Sequence, residues 1–122
     1  MAEAVIGPRY EPYISSDQLV DRLAECRLIS LEHGHESHFG IFTSRAGVYI
    51  TTTIEGDASS VAAENNYTSI SQLHRIDSII LDLHTHPSGY LFPSSGDSVR
   101  FLNPIRSMVP IDYMGIASLE RQ

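Results

Sequence analysis

Hydrophobic and polar positions along the chain change period several times, and each change predicts an element. Leu19, Leu23 and Cys26, flanked by Val20 and Ala24, recur at helical spacing, and Ser15-Ser16-Asp17 supplies N-cap chemistry ahead of them. A helix over roughly 17–29 is predicted. A polar stretch, Glu32-His33-Gly34-His35-Glu36, separates it from two β-rich runs, Phe39 to Thr43 and Val48 to Ile54. The short glycine-bearing link Ser44-Arg45-Ala46-Gly47 predicts that these runs pair as a hairpin. Residues 55–66 read as loop, and Thr68 to Arg75 as a short helix turning Ile70 and Leu73 inward. Ser78-Ile79-Ile80-Leu81-Asp82-Leu83 is the strongest strand candidate, because its near-continuous apolar run suits a strand covered on both faces. Pro87-Ser88-Gly89 stops it, Ser94 opens a short helix that Pro104 ends or kinks, and Tyr113 to Ala117 predicts another buried strand. Residues 1–14, with two prolines, read as an extended lead-in. The order predicts an α/β architecture, a mixed sheet packed by helices.

Composition narrows the picture. A length of 122 residues suits one domain over 1–122, and 42% apolar with 19% charged residues is globular rather than disordered. Eight basic against 15 acidic residues give a net charge of −7, which disfavours nucleic acid as a partner. With no basic n-region before an apolar run and no stretch of about 18 apolar residues, neither a Sec-type signal nor a membrane span is expected. The single cysteine, Cys26, excludes an internal disulfide and any multi-cysteine zinc site, and fits a reducing, cytoplasmic setting. Its place on the helix's apolar stripe predicts a small buried hydrophobe.

Candidate chemistry centres on His84-Thr85-His86-Pro87. Two histidines two apart at a strand's end lie on one face, with backbones about 6.6 Å apart. From there both imidazoles can converge on one ion. Zinc accepts imidazole nitrogen at about 2.0 Å and in catalytic sites keeps a place for water beside three protein ligands. Ser94 and Asp97 follow, spaced as a capping box, a pattern that taken alone reads as a helix start; a cap made by the serine alone is compatible with a carboxylate turned toward the metal.

His-x-His-Pro, then serine after seven intervening residues and aspartate after two more, resembles the signature of the JAMM (MPN+/JAB) metalloprotease family. That resemblance implies a JAB/MPN-like fold with cytidine-deaminase-like layering. It further implies Zn2+ held by His84, His86 and Asp97, and Ser94 hydrogen-bonded to the metal's water or to the oxyanion. A glutamate upstream serves as general base in that family. Glu36, just ahead of the Phe39 to Thr43 run, is the first candidate and Glu32 the second. Relatives often carry that glutamate three positions before a glycine, whereas Glu36 stands four before Gly40, an offset a β-bulge could absorb. The implied activity is hydrolysis of an amide or isopeptide bond in a protein or peptide substrate, such as a ubiquitin-like conjugate or a small carrier-protein adduct.

Two other readings stand beside it: a non-catalytic interaction module on the same fold, and the branch of the fold associated with bacterial DNA-repair proteins, which the charge disfavours. The family carries elements beyond the last predicted strand, so either those are supplied elsewhere or a partner subunit or second copy covers that edge. His33, His35 and His38 form a second group with Glu32 and Glu36 whose spacing could suit a metal, but with Gly34 beside them they read as solvated loop. Asp82 shares a strand face with His84 and His86 and is expected either to orient a ligand or to be a paired carboxylate at the core's edge. Tyr90, Leu91 and Phe92 are expected to line a substrate groove or to cap the core. His74 carries no assignment.

Overall fold

A computed structural model describes residues 10–58, 67, 70, 71, 75–88, 111–117 and 119. These form a small α/β domain: a six-stranded mixed sheet with one long helix on it.

The chain enters as β1 (Tyr10–Pro12), a strand where an extended lead-in is predicted, paired antiparallel with β3. Helix α1 (Ser16–His33) follows. Its N-cap, Ser15, is extended, and the side-chain oxygen of Gln18 accepts the Ser15 N–H at 3.1 Å, half of a capping box. The helix continues a turn past the predicted residue 29, because the first residue able to end it in left-handed conformation is Gly34 (φ 69°), whose N–H donates to the Ser30 carbonyl. His33 therefore belongs to the helix's last turn.

Strands β2 (Ser37–Ser44) and β3 (Gly47–Thr51) form the predicted hairpin about the turn Arg45-Ala46. The second predicted run is not one strand. It breaks at Thr52-Thr53, and β4 (Ile54–Glu55) resumes against the start of β2. Across the break, the Gly40 N–H donates to the Thr51 hydroxyl at 3.0 Å.

Strand β5 (Ser78–Thr85) runs antiparallel to β2 and continues two residues beyond the predicted Leu83, so His84 lies inside it. Between Ile41 and Phe42 the register shifts by one residue of β5, at Ile80. The bulge lets Ile80 and Leu81 both pack on the helix side and then restores alternation through Asp82, Leu83 and His84. Strand β6 (Ile111–Ile116) lies parallel to β5. It is the outermost strand on that side among the described residues, and Tyr113 is exposed, so this run is not the buried strand expected.

Hydrophobic residues fill both faces. Under α1, Cys26, Phe39, Ile41 and Ile50 are buried with Leu19, Leu23 and Leu83 packed around them. Opposite, Phe42, Tyr67, Ile70, Ile76 and Ile79 form a second cluster. Residues 67, 70 and 71 are helical and Ile70 is buried; Leu73 and His74 lie outside the described residues. No helix among the described residues is long and apolar enough to cross a membrane. Burial pushes the Cys26 thiol up to about 11, which leaves it a packing group.

Candidate metal centre

The start of β2 and the end of β5 are antiparallel neighbours, with Ser37 opposite Thr85 and His38 opposite His84. Alternation along each strand then places Glu36 and His38 on the same face as Asp82, His84 and His86, the face away from α1. Glu36, just ahead of β2, is held through its backbone: its N–H donates to the Asp57 carbonyl at 2.7 Å and its carbonyl accepts from Gly56 at 2.8 Å. The His84 carbonyl accepts from Ala117 at 2.9 Å, which fixes the opposite side of the strand.

Three side chains converge there. The Nε2 atoms of His84 and His86 lie 3.0 Å apart, with ring centroids separated by 4.8 Å. A Glu36 carboxylate oxygen lies 3.9 Å from His86 Nε2, and one donor atom from each of the three falls within 4.8 Å of the others. Two imidazole nitrogens bound tetrahedrally to one zinc at about 2.0 Å would be about 3.3 Å apart, close to the spacing here. Both histidines are buried, and the Glu36 side chain is 13% exposed. Such a donor set, borderline nitrogen with hard oxygen in a largely dry site, fits a divalent ion of the zinc type.

Ser94 and Asp97 lie outside the described residues, as do Tyr90, Leu91 and Phe92. Glu32, the second candidate for the base, sits exposed in the last turn of α1.

Beneath the cluster lies a buried polar group of which the sequence suggests Asp82 but not its partners. Asp82 pairs with His38, and the Tyr67 hydroxyl lies 3.2 Å from His38 Nε2 and 3.4 Å from the Asp82 carboxylate. Asp82 is thus a paired carboxylate, fully buried rather than at the core's edge. Gly40 makes the arrangement fit: a Cβ there would stand 1.9 Å from the Tyr67 hydroxyl oxygen. His38 departs from the solvated loop expected of it, because β2 begins at Ser37 and carries it into the sheet. The β2–β5 register is what sets His38 opposite His84, and no local pattern marks either His38 or Tyr67.

His33 and His35 do lie at the surface, and both bind one Glu55 carboxylate oxygen through Nδ1, at 2.8 and 2.6 Å. The His33 hydrogen bond, then that of His35, holds the Glu55 carboxyl below its ordinary value. A separate open groove on the α1 side, lined in part by Arg22, Glu25, Leu28 and Thr53, shares no residue with the histidine cluster.

Comparison of the chain with family profiles, curated protein sequences and solved structures returned no match.

Proposed function

We propose that this chain is a zinc-dependent hydrolase of the JAMM (MPN+/JAB) type, cleaving an amide or isopeptide bond in a protein or peptide substrate. The observation that carries the reading is the approach of Glu36 to His84 and His86, two histidines some fifty positions away in sequence. A carboxylate carried by the sheet to two imidazoles whose strand spacing already suits one ion supports a metal centre among the described residues. In this reading His84, His86 and Asp97 hold the ion, Glu36 is the general base and Ser94 hydrogen-bonds the attacking water or the developing oxyanion. A bound zinc ion lowers the pKa of a coordinated water toward about 7 and polarises the substrate carbonyl. Glu36 accepts the proton released by water and returns it to the leaving nitrogen, and its backbone bonds to Gly56 and Asp57 hold residue 36 at the edge of the site. Fold membership in the JAB/MPN group, a cytoplasmic setting and a ubiquitin-like or small carrier-protein adduct as substrate belong to the same proposal.

One observation favours a second assignment for Glu36. Its carboxylate is near enough to both histidines to complete a two-histidine, one-glutamate ligand set, another known zinc arrangement. Zinc content and cleavage of isopeptide-linked test substrates, measured on the parent, Glu36→Gln and His84→Ala, separate these roles. As base, Glu36→Gln keeps stoichiometric zinc and loses about 10²–10⁴-fold in turnover; as ligand, it loses zinc as well. His84→Ala loses both. A parent that binds no zinc when supplied with it counts against the zinc hydrolase reading and favours the non-catalytic module.

A further inference from the structure

The residues between the site's side chains point the other way, toward α1, and there they touch one another. Ser37 lies between Glu36 and His38; Thr85 lies between His84 and His86. Their hydroxyl oxygens are 2.8 Å apart, and Thr85 Oγ1 is 2.6 Å from Ser30 Oγ on the helix. Ser30 in turn donates to the His35 carbonyl at 2.8 Å. All three hydroxyl residues are buried. With the Ser30 proton committed to His35, each remaining hydroxyl proton has a short acceptor if Ser37 donates to Thr85 and Thr85 to Ser30. The Cys26 carbonyl, 3.0 Å from Ser37 Oγ and 3.3 Å from Thr85 Oγ1, offers a further acceptor.

This chain of hydrogen bonds runs from residue 37 through residues 85 and 30 to the carbonyl of residue 35. Its two ends bracket Glu36, and its middle sits between the two histidines. The hydroxyls therefore tie together the backbone segments that carry all three converging side chains, and they use the helix as the common support. Such ties matter because a ligand displaced by a fraction of an ångström binds its ion less well.

We propose that Ser30, Ser37 and Thr85 form a hydroxyl clasp that positions Glu36, His84 and His86 for metal binding; Thr85 is its centre. The inference rests on the metal-centre reading above and names positioning residues, none of which meets the ion. Thr85→Val is the sharpest probe, since it is close in shape and removes the hydroxyl's contacts with Ser37, Ser30 and the Cys26 carbonyl. Ser37 then turns to the Cys26 carbonyl and Ser30 keeps His35, so no donor is stranded.

The test is a Co2+ titration of the full chain, reading affinity and the visible absorption of bound Co2+, for the parent, Thr85→Val, Thr85→Ser and Ser30→Ala. Thr85→Val is expected to bind Co2+ about 10–100-fold more weakly with an altered absorption band, and Thr85→Ser to restore both. Ser30→Ala, which leaves both strands intact, is expected to weaken binding in the same sense and decides the matter if Thr85→Val does not fold. A merely structural role would lower the melting temperature of the metal-free protein and leave affinity and band unchanged. A parent that binds Co2+ alongside Thr85→Val and Ser30→Ala variants that bind it equally, with the parent's spectrum, overturns the clasp alone. A parent that binds none overturns the metal centre and the clasp with it.

Discussion

Single residues decide what the buried end of the sheet can hold. Gly40 is the clearest case, since the Tyr67 hydroxyl occupies the space a side chain there would need, with the Leu81 carbonyl 3.2 Å from the same point. Gly40→Ala forces Tyr67 off His38 and Asp82, and overpacking of this kind costs about 1–3 kcal/mol. Chemical denaturation should show that loss; an alanine variant as stable as the parent would mean that Tyr67 does not sit where described. At this scale the sequence was readable where a residue's role follows from its own strand. His84 and His86, two apart at the end of an apolar run, announce a shared face. His38 and Asp82 do not, because their pairing depends on which strand lies next to which and in what register. Tyr67 was illegible for a stronger reason: it reaches the pair from outside the strands altogether.

Elements meet at the end of α1, and their junction is polar on both sides of the chain. Inside, Ser30 joins the hydroxyls of Ser37 and Thr85; outside, Glu55 of β4 holds His33 and His35 on either side of Gly34. Glu55 has its carboxyl pKa lowered from an ordinary value of 4.5. Folded protein then binds fewer protons at this group than unfolded chain does, so its contribution is complete above the ordinary value and fades as pH falls through the folded one. Glu55→Gln removes that dependence. Thermal unfolding followed from neutral pH into the acid range should fall less steeply below about pH 4.5 in Glu55→Gln than in the parent; parallel curves would count against the pairing. The helix start, the hairpin and β5 were foreseeable from caps, turn residues and period. The extra turn of α1 and the break between β3 and β4 were not. The first depends on which glycine the chain reaches before it can adopt a left-handed residue. The second depends on β2 being long enough to pair twice along one edge.

Taken whole, the molecule brings together what lies far apart in sequence. An antiparallel β2–β5 pair sets Glu36 against His84 and His86, and α1 supports that pair from behind while the Tyr67 cluster fills the other face. The fold class was legible because helical and β periods alternate cleanly. The convergence at the site was legible for the two histidines from their spacing, whereas Glu36 came from resemblance alone, its distance to them being a property of the sheet. The central claim is that one ion binds between those histidines, and anomalous X-ray scattering at the zinc edge from a crystal grown with zinc tests it most directly. The account predicts a peak at about 2.0–2.1 Å from Nε2 of both His84 and His86, with a carboxylate oxygen completing the protein ligands. Zinc seated elsewhere, for instance at His33 and His35, with nothing between His84 and His86, would contradict it.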